Sequence, residues 1–323
     1  MTTPQTPIHS GFGPAATAAD IVKGVNLSGK VAVVTGGSNG LGLETTRALA
    51  SAGATVVVPA RDTAKAAAAL SGIANVELHP MELTDPASID AFAATVLAAH
   101  PAIHILINNA GLMMPPLMRD GRGYESQFST NQLGHFQLTG RLWPALKAAH
   151  GARVVALSSR GHQFAGVDFD DWNFTTRPYD PRVAYGQSKT ANALFAVGLD
   201  KRGQGDGVRA FSVHPGGIIT DLSKYMPKEA LAKSGYLDAD GKPIIDPERN
   251  MKSPAQGAAT AVWCATSPQL IGMGGVYCEN SDIAPGLAAD STELLGVRPW
   301  AMDPVAADKL WILSEKLTGV RFP

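Results

Sequence analysis

The sequence is poor in cysteine, in charge and in aromatic side chains, and it carries no large excess of either sign of charge. Only Cys264 and Cys278 occur in 323 residues, with no CxxC pair and no His-rich cluster. A disulfide framework is thereby excluded and no metal site is suggested; two buried thiols in a reducing compartment is the simpler reading. The formal net charge of −1 supplies no basic field of the kind that captures nucleic acid or an anionic membrane, so neither partner is expected. No uninterrupted run of about 18 strongly apolar residues occurs, which argues against a membrane span. The N-terminus has neither Lys nor Arg before Lys23 and no apolar stretch, so it does not read as a signal peptide, and a cytoplasmic location is expected.

What is present is apolar material in quantity. Hydrophobic residues make up 45% of the chain and charged residues 17%, unlike a disordered sequence and ample for one large core. Residues 1–26 are rich in Thr, Pro, Ala and Gly and read as an arm that wraps the surface or stays partly mobile; residues 27–323 read as one domain. Within it, short Val- and Ala-rich runs alternate with helical stretches. The strands are Lys30–Gly36, Thr55–Pro59, Val76–His79, Ile103–Asn108, Arg153–Ser158 and Val208–His214. The helices are Leu41–Ala52, Asp62–Leu70, Pro86–Ala99, a long region Tyr124–Ala149, and Val183–Arg202. This alternation specifies an α/β fold, a Rossmann-like doubly wound parallel sheet with helices on both faces. Two segments, 161–182 and 222–252, break the rhythm just after strand C-terminal ends. Open α/β sheets bind ligands there, so both read as loops over a substrate pocket, with surface decoration as the alternative.

Between the first strand and first helix stands Thr35-Gly-Gly-Ser-Asn-Gly-Leu-Gly42, a context that suits a dinucleotide. Gly36 permits the tight turn, Gly40 lets the backbone approach a pyrophosphate, and Gly42 lets the helix pack on the sheet. Ser38, Asn39 and Leu41 complete the cradle. At the end of the second strand, where an acidic residue would select NAD(H), the chain reads Ala60-Arg61-Asp62. A guanidinium there suits a 2′-phosphate, so NADP(H) is favoured and NAD(H) is the alternative. Asp62 is expected to cap the following helix.

Tyr185 and Lys189 are four apart on an expected helix and share a face, flanked by Ser188 and Asn192. A phenol of pKa about 10 is a poor base at neutral pH. A cation about 4 Å away contributes at most about 4 kcal/mol at an effective dielectric near 20, enough to bring the phenol close to neutrality, where a general acid/base works best. The same spacing also occurs on ordinary solvated helices.

TGGSNGLG at Thr35–Gly42, NNAG at Asn108–Gly111, Asn131 in STNQLGHF, Ser158-Ser159, YGQSK at Tyr185–Lys189 and HPGGIIT at His214–Thr220 stand in this order. In that order the chain resembles the short-chain dehydrogenases/reductases, in the branch of the retinol dehydrogenases and their WW-domain oxidoreductase relatives. The resemblance implies that Tyr185 exchanges a proton with the substrate oxygen as hydride moves to or from a nicotinamide. Lys189 would lower the phenol's pKa and hold the nicotinamide ribose, Ser159 would hydrogen-bond the substrate oxygen, and Asn131 would hold a water in the proton relay. Ser158 is the weaker serine candidate. Asn108, Ala110 and Gly111 would line the adenosine and ribose side; Pro215, Gly216, Ile218 and Thr220 would close over the nicotinamide.

The chain departs from the family pattern in two places. Glu82-Leu83 stands where an Asp usually lies beside the adenine, and the longer carboxylate is expected to reach it. The Ser159 to Tyr185 interval is lengthened by the 161–182 insertion. The expected activity is NAD(P)-dependent interconversion of an alcohol and a ketone or aldehyde, with Met113, Met114, Phe164, Trp172, Tyr225 and Met226 as candidate walls for a fairly apolar small molecule. Ordinary packing is the alternative for several of these. Without an apolar anchor, a retinoid substrate is not carried over. Competing activities are a nucleotide-binding redox sensor without turnover, and an epimerase or dehydratase using a transient hydride step. The family also implies a possible homo-oligomer through Tyr124–Ala149 and Val183–Arg202.

Overall fold

Small and β-branched apolar side chains in runs of four to six suit strands covered on both faces. The computed structural model describes residues 3–226, 228–233 and 235–323, and in it these runs form one sheet. Its elements begin with α1 (Ala18–Ile21), β1 (Val31–Val34), α2 (Gly40–Ser51), β2 (Thr55–Ala60), α3 (Thr63–Leu70), β3 (Val76–Pro80), α4 (Pro86–Ala99) and β4 (Ile105–Asn108). They continue with α5 (Ser126–Phe128), α6 (Gly134–Ala148), β5 (Arg153–Leu157), α7 (Pro181–Gly203), β6 (Arg209–His214), α8 (Lys228–Lys233), α9 (Pro254–Thr266), β7 (Val276–Glu279), β8 (Asp282–Ile283) and α10 (Pro304–Thr318). The strand order is β3-β2-β1-β4-β5-β6-β7-β8, parallel from β1 to β7, with β8 antiparallel to β7.

Strand parity divides the core. Val33, Val57, Leu106 and Val154 face one apolar layer with residues of α4, α6, α7 and α10. Ala32, Val56, Ile107 and Val155 face another with α1, α2 and α9. Helix starts are set by short polar caps followed by proline: Asp85 before Pro86, Asp180 before Pro181, Ser253 before Pro254 and Asp303 before Pro304 each accept a hydrogen bond from the first turn. Asp62 likewise caps α3, accepting from the Lys65 amide at 2.9 Å.

The N-terminal residues lie against the far edge of the sheet. Gln5 donates to the carbonyls of Tyr277 and Ala284 and accepts from the Tyr277 amide, while the Asp282 carboxylate takes the Ile8 and Ser10 amides. A capping box at Thr17 starts α1, which buries Ala18 and Ile21.

The long region Tyr124–Ala149 is not one helix. Between α5 and α6, Ser129–Leu133 widens into a π turn, the kind of bulge found at functional sites. Strand order reverses between β1 and β4, so a crevice opens at their C-terminal ends.

Candidate active site

The Gly-rich turn leaves β1 with Gly36 at φ +65° and Gly40 at φ +51°, left-handed values that suit glycine. A Cβ on Gly42 would strike the Gly36 carbonyl, so only glycine lets α2 close on the turn. Asn39 makes no capping hydrogen bond; its side-chain carboxamide donates to the Asp221 carboxylate instead, at 2.8 Å. The α2 N-terminus is thereby left to an anionic group. Thr35 braces the turn from below: its hydroxyl accepts from the Asn109 and Ala110 amides at 2.8 and 3.0 Å, and its carbonyl accepts from the Asn109 carboxamide.

From this turn a cavity of about 920 Å³ runs along the strand ends. Ser38, Asn39, Leu41, Arg61, Glu82, Leu83 and Ala110 line one end; Gly111, Ser159, Tyr185, Lys189, Pro215, Gly216, Ile218 and Thr220 line the rest with Met113, Met114, Phe164, Tyr225 and Met226. Arg61 and Glu82 approach each other at 3.6 Å, with side chains 69% and 35% exposed, a pair worth little by itself. The Glu82 carboxylate thus faces Arg61, and it also accepts from the Thr84 amide.

Three expected residues do not line the cavity. Asn108 is the last residue of β4, and its parity turns the carboxamide into the helix layer, where it donates to the Thr139 hydroxyl at 3.2 Å; the following Asn109 lines the cavity in its place. Asn131 is buried in the π turn. Its carboxamide accepts from the Leu112 amide and donates to the Leu112 carbonyl and the Ser188 hydroxyl, and its own carbonyl accepts from Asn192. It braces the Gly111–Leu112 loop. Trp172 belongs to the core, packed against Tyr124 and Phe128 with ring centroids 5.2 Å away in each case.

At the reacting end, helix α7 carries Tyr185 and Lys189. Glycines on two motifs interlock to seat the phenol: a Cβ on Gly161 would come within 2.6 Å of the Tyr185 ring, and one on Gly186 within 2.9 Å of the Gly161 carbonyl. Gly161 stands two residues past the serine pair and opens the segment 161–182, the only signal the sequence gives of it. Ser159 caps the short turn Arg160–Phe164 by accepting from the Gly161 amide at 3.0 Å. The Ser159 hydroxyl and the Tyr185 ring flank the same place, that of a Cβ on Gly161.

The electrostatics differ from the sequence expectation. Burial pushes the phenol up to about 12, against the opposing hydrogen bond from Ser159. Burial also pushes the Lys189 ammonium down to about 7. The ammonium lies 5.7 Å from the centre of the Tyr185 ring and donates to the Leu157 carbonyl at 2.8 Å and to Asn192 at 3.3 Å. Desolvation of both groups therefore outweighs their mutual effect in the protein alone, and the phenol is a protonated acid at neutral pH.

The lysine makes stability depend on pH. Its ordinary value is about 10.4, so between there and 7 the unfolded chain binds a proton that the folded chain refuses. Stability is full above the upper value, falls as pH falls through this window, and levels off below 7. Denaturant unfolding of the protein and of Lys189→Met should show the wild type gaining stability from pH 7 upward more steeply than the variant. Equal slopes would contradict the buried, largely neutral lysine.

Among the described residues no helix is long and apolar enough to cross a membrane, and no group of three metal-ligating side chains comes together. The family model described as short chain dehydrogenase matches residues 30–230. A "Probable oxidoreductase" of Streptomyces antibioticus is 42% identical over 294 residues, covering 89% of this chain and 97% of its own. "Retinol dehydrogenase 12" of Mus musculus is 37% identical over 304 residues, 92% of this chain and 89% of its own. The solved structure of an uncharacterized protein from Mycobacterium paratuberculosis superposes with a TM-score of 0.73 at 33% identity, covering 96% of this chain and 99% of that one. The chain belongs to the short-chain dehydrogenase/reductase family, in its retinol dehydrogenase branch, and is an oxidoreductase on the family's NAD(P)-binding Rossmann fold.

Proposed function

We propose that the protein is an NADP(H)-dependent carbonyl reductase and alcohol dehydrogenase for a fairly apolar small molecule, with Tyr185 as the general acid/base. One observation carries this reading: a single cavity joins an uncapped helix N-terminus and Arg61 at one end to Ser159, Tyr185 and a Met-rich wall at the other. The cradle fits a dinucleotide, since Gly36 and Gly40 take left-handed backbone before an α2 N-terminus that no side chain caps, and no acidic residue occupies position 60. Gly36, Gly40 and the α2 N-terminus would hold the pyrophosphate, Arg61 with Ser38 a 2′-phosphate, and Tyr185 with Lys189 the nicotinamide ribose. A bound nicotinamide supplies or accepts the hydride.

The chain's own residues handle the proton and the developing charge. Tyr185, protonated at neutral pH, donates its proton to the substrate oxygen during reduction and takes it back during oxidation. Ser159 turns its hydroxyl toward the same oxygen and stabilises charge that grows there. Lys189 replaces the lost proton once its ammonium is favoured by a neighbouring negative charge. Met113, Met114, Phe164, Tyr225 and Met226 exclude water and accept a bulky apolar body.

The test is oxidation of NADPH and of NADH with a panel of aliphatic and aromatic ketones and aldehydes. Turnover of apolar members with NADPH preferred is expected. Folded, cofactor-bound protein that turns over none of them contradicts the reading.

A further inference from the structure

His162 follows Ser159 by three residues, does not line the cavity and is fully buried, yet all its polar groups are used. Its amide and its Nδ1 both reach the Ser159 carbonyl, at 3.0 and 2.7 Å. On the other side of the ring, Nε2 accepts from the Arg298 amide at 3.1 Å. The His162 carbonyl accepts from the Thr190 hydroxyl at 3.1 Å and the Trp300 indole at 3.0 Å. A carbonyl can only accept and an amide N–H can only donate, so the ring proton sits on Nδ1 and one tautomer is fixed from both sides. Burial holds the imidazole neutral, down to about 4.

A second line of contacts runs from the same ring. The Tyr277 hydroxyl lies 3.2 Å from Nδ1, and Ser158 opposes the upward shift that burial gives this phenol. Ser158 in turn donates to the Lys189 carbonyl at 2.7 Å. The Ser159 carbonyl is thus tied to the Arg298 amide through the imidazole, and the His162 carbonyl ties the Thr190 hydroxyl to Trp300. A residue that merely filled this space would be apolar, because a buried imidazole is costly unless each of its nitrogens is bonded.

The geometry points to His162 as a positioning residue that fixes Ser159 against Tyr185 by holding the Ser159 carbonyl, an inference that rests on the reductase reading above. Without the Nδ1–H bond, the turn from Ser159 to Gly161 loses its shortest tether. The serine hydroxyl then shares its time between the Gly161 amide and the phenol in a looser geometry, and the substrate oxygen meets a displaced donor.

Two substitutions separate positioning from packing. In His162→Asn the carboxamide nitrogen falls near the place of Nδ1 and keeps the bond to Ser159. In His162→Gln the carboxamide oxygen reaches toward the place of Nε2 and keeps the bond to Arg298. Kinetics with NADPH and a turned-over ketone, melting temperature and crystal structures of both variants form the test. The expected result is a kcat near wild type in H162N and roughly tenfold lower or worse in H162Q, with the same melting temperature and cofactor KM in both. The separation of Ser159 Oγ from Tyr185 Oη stays unchanged in H162N and lengthens in H162Q. Equal losses of kcat that track melting temperature, or an unmoved Ser159 in H162Q, overturn the assignment. Absence of turnover in the wild type would defeat the reductase reading instead, and the crystallographic separations would still decide the positioning claim.

Discussion

Tyr185→Phe should lower kcat by roughly 10²–10⁴-fold, the range that a positioned general acid contributes, with little change in melting temperature or in NADPH affinity. The ring stays. Gly161 leaves room for the six-membered ring and for nothing more on that side, so phenylalanine fills the same space and the helix keeps its seat. Only the hydroxyl goes, and the Ser159 hydroxyl retains the Gly161 amide at 3.0 Å. Loss of kcat with an unchanged KM is the pattern of an interaction made only in the transition state. Steady-state kinetics, with cofactor binding followed by fluorescence, would check both halves. A variant with wild-type turnover would remove Tyr185 from the chemistry.

Arg61→Asp should reverse the cofactor preference. The guanidinium is largely exposed at 69% and, among the described residues, pairs with Glu82 at 3.6 Å, so its removal leaves no buried charge behind and the fold should tolerate it. Charged hydrogen bonds to a phosphate are worth about 1.5–3 kcal/mol, or roughly 10- to 100-fold in affinity. A carboxylate placed there adds repulsion of the 2′-phosphate and accepts from a ribose hydroxyl, so discrimination gains a repulsive and an attractive element together. The ratio of kcat/KM for NADPH over that for NADH is expected to fall by roughly 10²-fold. An unchanged ratio would assign the choice of cofactor to another group.

The sequence carried the first six strands, the cradle and the Tyr185–Lys189 face in plain view, because each is written in local spacing: short apolar runs, glycines at a strand end, a four-residue helical interval; β7 and β8 are short and go unmarked. The expected residues that lie away from the cavity wall share a different cause. Asn108 and Asn109 are adjacent and chemically identical, and only the end of β4 decides which carboxamide faces the helix layer. Asn131 sits in a π turn that no local propensity marks, and its partners Leu112, Ser188 and Asn192 come from distant segments. Trp172 lies in an insertion whose folding returns it to the core beside Tyr124 and Phe128. The phenol was expected near neutrality from its distance to a cation; burial of both groups, a tertiary quantity, reverses that balance. The reversal bears on function, since a phenol that keeps its proton is ready to act as a donor in reduction.

The central claim is net hydride transfer to a carbonyl with Tyr185 supplying the proton. Its most direct measurement is turnover of an apolar ketone with NADPH deuterated at the transferring position, read by mass spectrometry of the product. The account predicts an alcohol with deuterium on the carbinol carbon, formed mole for mole with NADP. Product formed while NADPH returns unoxidised, as an epimerase or dehydratase would leave it, or product without deuterium, would contradict it.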